Sequence, residues 1–365
     1  MSLPSMILLA ITVVLACATL LPLWRNPAWW VRAAEFPRLQ VAVLLFATLL
    51  LTLLLVSPSP LFWAMLAAQV ACLVYHITWI VPYSPLFSLE VKDARAPDAG
   101  RQLRILTANV LASNRDASRL LALVKKHQPD ILVTLESDAW WEEQLASIED
   151  EHPHTIKCAL DNLYGMHVFS RLPLSGCSTE FLVEDDVPSM HAMVTLRSGE
   201  RVRAHFLHPA PPSPTENAES TERDAELIVV GRSVAEYAGP VVVTGDLNDV
   251  AWSATTRLFR KLSGLLDPRI GRGMFNTFHA GHWFLRWPLD HVFHSVHFTL
   301  RHVERMPSIG SDHFPLLTEL ALEPARAHRQ AGLEANEEER AWGYEITKNK
   351  DVTVNDLPAL PEPAT

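Results

Sequence analysis

The first 84 residues of this 365-residue chain are nearly free of charge, and that restricts its fold more than any other feature. Three stretches, 6–23, 39–56 and 61–81, contain no Asp, Glu, Lys or Arg, and each approaches the roughly 20 apolar residues that a helix needs to cross a bilayer. Lipid offers no water to an unpaired backbone group, so such stretches are expected to be helical. For the first stretch a cleaved secretory signal is the competing reading, but no basic segment precedes it and two further apolar stretches follow directly. The expectation is a three-helix transmembrane region over residues 1–84. Between the first two spans, Trp24 to Arg38 alternates tryptophan and arginine like a headgroup-level loop. Gln69 and His76 of the third span read as polar groups that satisfy a neighbouring helix rather than as functional residues.

Composition then changes. Residues 85–102 read as a Pro- and charge-bearing linker, and 103–322 as a domain long enough for one large core. Residues 323–365, with Glu337-Glu-Glu-Arg340 and several prolines, read as a disordered polar tail. Within 103–322 short apolar runs alternate with helical patterns. Ser118 to His127 carries Leu120, Leu121 and Val124 on one face, with Asn114 or Asp116 as a cap. Residues 221–237 and 254–262 read as further helices.

The chemistry is concentrated where apolar runs stop. Pro240-Val-Val-Val-Thr-Gly-Asp-Leu-Asn-Asp249 reads as a buried strand that turns at Gly245 and presents Asp246 and Asn248. Side chains two apart in an extended segment point the same way, although a turn with local hydrogen bonds uses the same residue types. Other segments repeat the placement: Leu103 to Asn109 ends in an amide, Pro129 to Glu136 in a carboxylate and Arg203 to Pro209 in His208. Asp290 precedes the strand residues Val292 and Phe293, and Ile309 to Pro315 supplies Asp312 and His313. Such a set predicts one sheet rim lined with carboxylates, amides and imidazoles.

In this order the segments resemble the endonuclease/exonuclease/phosphatase superfamily, over about Leu103 to Leu322. The most specific elements are Gly245-Asp-Leu-Asn248 and Ser311-Asp-His313, and Gly165 to Arg171 is similar to the family's central strand ending in Ser-Arg. The resemblance implies an α/β (α+β) fold, a four-layer sandwich of two mainly antiparallel β-sheets flanked by helices. It also implies hydrolysis of phosphate esters or anhydrides with Mg²⁺ or Mn²⁺. Glu136 would be the principal metal ligand, because a hard cation prefers carboxylate oxygen, with Asn109 and Asp312 completing or supporting its shell. Asp246 would orient and deprotonate the attacking water, and Asn248 would hold that water or a phosphate oxygen. His208 and His313 would donate to phosphoryl oxygens, with Asp290 orienting His313.

Other polar residues read as structural. His205 lies three before His208, on the opposite strand face. His279, His282, His291, His294 and His297 match no tight zinc spacing and have no cysteine beside them, and Asp249 reads as a cap for the turn.

Substrate class is read from charge and anchoring. Residues 104–320 hold 20 Lys plus Arg against 28 Asp plus Glu, a formal charge of −8, whereas a nuclease usually carries a basic footprint. A local patch of Arg257, Arg260, Lys261, Arg269 and Arg272 is the exception. Acidic balance and three spans favour a membrane lipid or lipid-linked phosphate, with DNA or RNA as the alternative, and the aromatic stretch Phe278 to Trp287 reads either as a headgroup contact or as a packed lid. Membrane-bound bacterial members with three amino-terminal spans, including the glycopeptide-resistance type, resemble this layout and imply a multi-pass protein of the cytoplasmic membrane. Arg25, Arg32 and Arg38 in the first loop would hold the catalytic domain in the cytoplasm, whereas a Cys158–Cys177 disulfide across neighbouring strands would favour the outer side. The extracytoplasmic placement is the expectation.

Overall fold

The computed structural model describes residues 2–95 and 98–359. Helices α1 (Leu3–Leu20), α2 (Trp29–Ala33), α3 (Arg38–Leu55) and α4 (Pro60–Ile80) come first, and α1, α3 and α4 are long and apolar enough to cross a membrane. Ser2 and Ser59 cap α1 and α4 through their hydroxyls, each with proline in the first turn. Outward faces expose Leu54, Phe46 and Trp63, while polar side chains turn inward. The Gln69 amide donates to the hydroxyls of Thr12 and Thr52 at 2.8 and 3.0 Å, and His76 Nε2 lies 3.0 Å from the Thr19 hydroxyl. Both residues therefore join the helices to one another, the structural role read from the sequence.

The rest is a four-layer sandwich. Its elements in chain order are β1 (Gln102–Asn109), α5 (Ser118–His127), β2 (Ile131–Leu135), α6 (Ala139–Leu145), β3 (His154–Cys158), β4 (Met166–Ser170), β5 (Leu174–Glu180), β6 (Ser189–Thr195), β7 (Arg201–Leu207), α7 (Thr221–Ala235), β8 (Val241–Asp246), α8 (Ala254–Ser263), β9 (Asp290–His294), β10 (Phe298–Arg305), β11 (Leu316–Leu322) and α9 (Glu337–Asn349). One sheet runs β10-β11-β1-β2-β4-β3 and the other β5-β6-β7-β8-β9. Pairing is antiparallel except for β1 with β2 and β7 with β8. Strands alternate, so Ile105, Val133 and Val168 of the first sheet meet Ala204, Phe206 and Val242 of the second in a central core. The opposite faces pack on helices: Leu106, Leu132 and Phe169 against Leu120 and Trp141, and Val243 and Phe293 against Ile228 and Phe259.

Several expectations are corrected here. Part of the segment read as a disordered tail is the helix α9, begun by a reciprocal capping box between Asn336 and Glu339. Trp342 and Ile346 pack on the α7–α8 layer, and Gly343 approaches so closely that a β-carbon there would meet Leu262. Composition misled because α9 is polar on all but the one face it buries. The segment after α4 is not a free tether either. Val91 is fully buried, Glu90 pairs with Arg260 at 2.5 Å, Asp93 pairs with Arg272 at 2.6 Å, and Lys92 and Ala94 exchange backbone hydrogen bonds with Leu300. The basic patch is correspondingly neutralised, since Lys261 pairs with Glu339 and Arg269 with Asp267, leaving Arg257 stacked on Trp79. Cys158 and Cys177 are both free thiols, because β3 and β5 are edge strands of different sheets and not cross-paired neighbours.

If α9 completes the core, truncation after Leu333 is expected to lower the melting temperature of the solubilised full-length protein by roughly 5 °C or more. Trp342→Ala should cost about 1–3 kcal/mol, below the usual figure for a fully buried aromatic. An unchanged melting temperature on truncation would show the helix to be dispensable.

Candidate active site

The two parallel pairings build the site. Because β1 and β2 run together, Asn109 ends beside Leu135 and Glu136 follows at the same rim. Likewise β7 and β8 place Leu207 opposite Gly245, so that His208 and Asp246 leave the second sheet together. Antiparallel β9 begins at the same rim, with Asp290 in register with Asp246. The loop between β10 and β11 returns Asp312 and His313 to it, and the hydroxyls of Thr107 and Thr244, 2.8 Å apart, join the two sheets nearby. Gly245 is required at its position: its φ is +153°, and a β-carbon would collide with the Leu207 carbonyl. Glu136 and Asn248 also adopt positive φ, 55° and 50°, at roughly 1–2 kcal/mol for Glu136 and less for Asn248, whose short amide tolerates this region.

Three side chains form a buried chain of charge. His313 Nδ1 lies 2.8 Å from Asp290 Oδ2, and its Nε2 lies 3.4 Å from Asp246 Oδ2. Burial alone would push the imidazole down, but Asp246 and Asp290 outweigh it and His313 is pushed up to about 10, so it is held as a cation. His208 is the contrast. It too is buried, and burial, against the pull of Asp246, pushes it down to about 4, leaving it neutral. Asn109 links the groups, its amide donating to Glu136 at 2.7 Å and to Asp246 at 3.1 Å. Burial pushes the Glu136 carboxyl up to about 7, with Asp312 and Asp246 acting in the same direction against the Asn109 amide.

The donors suit a divalent cation at one end of this arrangement and not at the other. Asp246, Asp290 and His313 offer ligand atoms within 4.8 Å of one another, but an imidazole protonated on both nitrogens has no lone pair to give. Glu136 and Asp312 are hard donors at a place crowded with carboxylates, whereas the Asn109 amide turns its nitrogen to Glu136 and its oxygen to the Leu111 N–H. The raised Glu136 carboxyl shows that the protein alone leaves that charge poorly compensated, and a cation there would relieve it.

All eight residues singled out from the sequence reach this rim. One differs from expectation in detail. Strand β8 ends at Asp246, so alternation does not orient Asn248; instead its backbone N–H donates to Asp246 Oδ1 at 3.0 Å and its amide donates to the Pro209 carbonyl at 3.0 Å. Asp249 is structural as read, accepting from Ser253 and Thr256 at the start of α8. His205 is structural too, 2.7 Å from His191 through ring nitrogens. Sequence reading missed Arg223, buried on α7, whose guanidinium donates to the Asn248 carbonyl at 2.8 Å and lies 3.5 Å from Asp249. It also missed Tyr164, whose ring centroid is 5.5 Å from that of His208 and whose hydroxyl donates to Glu216. Neither residue carries a local signal, since each meets the site only through tertiary packing.

Beside the polar groups lies a cleft of about 610 Å³, lined by Glu136, Glu216, Asn248, Asp312 and His313 and otherwise by apolar side chains such as Phe36, Phe278 and Trp287.

The family model for the endonuclease/exonuclease/phosphatase family matches residues 106–313. Among solved structures, the human nocturnin catalytic domain with a bound sulfate anion aligns with a TM-score of 0.50 at 15% identity, covering 62% of this chain and 96% of that one. An endonuclease/exonuclease/phosphatase from Beutenbergia cavernae DSM 12333 gives a TM-score of 0.49 at 19% identity, covering 61% and 72%. A family protein from Bacteroides thetaiotaomicron gives 0.48 at 18% identity, covering 64% and 99%. At these identities the likeness concerns fold alone. A comparison with curated protein sequences found no match. The matched segment exceeds half the chain and takes in every rim residue from Asn109 to His313, so the chain belongs to the endonuclease/exonuclease/phosphatase family, whose members hydrolyse phosphate esters and generally use divalent metals.

Proposed function

We propose that the protein is a membrane-anchored, divalent-metal-dependent phosphoesterase acting on a phosphate ester or pyrophosphate of a lipid or lipid-linked substrate. The observation that carries this reading is the buried Asp290–His313–Asp246 chain meeting, with Glu136 and Asp312, a cleft whose remaining lining is mainly apolar. Glu136 and Asp312 would hold Mg²⁺ or Mn²⁺, with Asn109 supporting that shell through its amide hydrogen bond to Glu136. When bound, such a cation neutralises phosphoryl oxygens and lowers the barrier to attack by water. Asp290 fixes the proton on His313 Nδ1, and Nε2, which faces Asp246 at 3.4 Å, would donate to a phosphoryl oxygen as charge builds there. Asp246 accepts the proton of the attacking water. Asn248 is held through its amide nitrogen by Pro209 and through its backbone carbonyl by Arg223, and its amide oxygen would hold the water or a phosphate oxygen. Neutral His208 donates through one ring nitrogen.

Lipid is favoured over nucleic acid by charge and by attachment. With four of the five residues of the basic patch already ion-paired, the acidic domain has little to offer a polyanion arriving from solution. The packed segment after α4 also holds the domain against the apolar helices. In this reading those helices span a cytoplasmic membrane. With Cys158 and Cys177 free, an extracytoplasmic domain rests on the family resemblance, and a reporter fused at the carboxyl terminus reads the side directly.

Asp246→Asn and His313→Ala are each expected to lower turnover by roughly 10³-fold or more with the melting temperature within a few degrees of wild type. A large loss of melting temperature in both would make these residues structural. Glu136→Gln is expected to weaken Mn²⁺ binding, read by titration calorimetry, at least about tenfold. The raised Glu136 carboxyl takes up a proton as pH falls through about 7, so wild-type Mn²⁺ affinity should fall below that pH and the Gln variant should lose this dependence. The substrate test offers a polyprenyl pyrophosphate, a phospholipid and duplex DNA to the full chain in lipid vesicles. Phosphate release from a lipid with little DNA cleavage is expected, and strong preference for DNA would instead establish a membrane-bound nuclease.

A further inference from the structure

We infer that the loop joining the first two apolar helices is part of the substrate site, forming a subsite for the hydrocarbon chain next to the reacting phosphate. This deepens the lipid reading above and rests on it. Phe36 and Pro37 line the same cleft as Glu136 and His313, facing Phe278, Leu285 and Trp287. Phe36 meets Trp287 edge to face, with ring centroids 5.7 Å apart.

The loop is built into the catalytic domain. Trp29 N–H donates to the Ala218 carbonyl at 2.9 Å, and Ser220 N–H donates back to the Pro27 carbonyl at 2.8 Å. Trp252 donates from its indole to the Glu35 carbonyl at 2.9 Å, and Arg32 lies 3.8 Å from Asp224 with both side chains buried. The wall formed by Phe36 therefore cannot drift from the catalytic rim without breaking these contacts.

Its position selects the ligand. Helix α3 begins at Arg38, two residues after Phe36, so the wall stands where a span would enter the bilayer. Gln40 at that helix start donates to the Phe284 carbonyl at 2.9 Å, and the neighbouring Trp283 is 82% exposed, as an aromatic at a membrane interface would be. A lipid lying beside α3 could thus present its phosphate to the rim while its first chain segment stays on apolar side chains. Aromatic walls also stack nucleobases, but among the described residues no Lys or Arg lines this cleft to follow a nucleic-acid backbone.

The test uses the full chain in phosphatidylcholine nanodiscs with Mn²⁺ and a farnesyl phosphate carrying a terminal benzophenone. After irradiation, label is expected in the peptide holding residues 33–37, displaced by farnesyl pyrophosphate or, if the source is a diacyl lipid, by dioleoyl phosphatidate. Phe36→Ala should lower kcat/KM for farnesyl pyrophosphate relative to bis(p-nitrophenyl) phosphate by about tenfold, mainly through KM. Ala33→Trp alters an exposed cleft residue without disturbing packing, and should reduce labelling if Phe36→Ala fails to fold. Label confined to residues 38–80, or displaced by oligothymidylate but by neither lipid, overturns the inference. Label on the loop without phosphate release from any lipid would defeat the proposed activity and leave the subsite standing.

Discussion

Two parallel strand pairings in otherwise antiparallel sheets are the constraint on which the site depends. An antiparallel neighbour sends successive strand ends to opposite edges, whereas β1 beside β2 and β7 beside β8 deliver their carboxyl ends to one edge. Asn109, Glu136, His208 and Asp246 follow from that geometry alone. Packing the sheets face to face then brings the four together, and the Thr107–Thr244 hydroxyl pair shows how close the two backbones come. These four groups are held rigidly, because each leaves the end of a buried strand and not the middle of a long loop.

The same burial creates an electrostatic problem that shapes the chemistry. Asp246, Asp290, Glu136 and Asp312 converge where water is largely excluded, and the one cation the chain itself supplies at this point among the described residues is His313. Its elevated proton affinity is the product of two carboxylates overcoming burial, and the low affinity of His208 shows what burial does when only one carboxylate opposes it. Two imidazoles on one rim are thus held in different charge states by their neighbours, the usual means by which a single site provides distinct proton donors.

Legibility in the sequence followed the range of the interaction. Strand ends and apolar periodicity are local, so all eight rim residues were readable at the ends of apolar runs, while the sheet class came from the family resemblance that those runs carry. Cross-chain contacts were not. Arg223 looks like any charged residue of an amphipathic helix, yet it is buried and holds the Asn248 carbonyl. Polar composition made α9 look disordered, since a single buried face of Trp342 and Ile346 is too weak a pattern to outweigh Glu337-Glu-Glu-Arg340. The cysteines looked like partners because they flank the strand ending at Ser170, on what read as neighbouring strands, but the chain crosses from one sheet to the other between β4 and β5.

The least legible feature is the union of the apolar helices with the catalytic domain. A membrane anchor on a flexible linker confines an enzyme to a surface and leaves its site free to face any direction. Here Glu90–Arg260, Asp93–Arg272 and the two-way backbone exchange between Pro27–Trp29 and Ala218–Ser220 leave no such freedom. Arg32 and Arg38, which looked like headgroup contacts, are instead buried, Arg32 beside Asp224 and Arg38 against Tyr75 and Trp79. Stripping a guanidinium of water is costly unless partners replace it, so Arg32, paired across to Asp224 of α7, disfavours a domain that detaches. The anchor therefore orients the catalytic rim as well as retaining it, and a short cleft beside α3 can suffice for a substrate that arrives in the plane of the membrane.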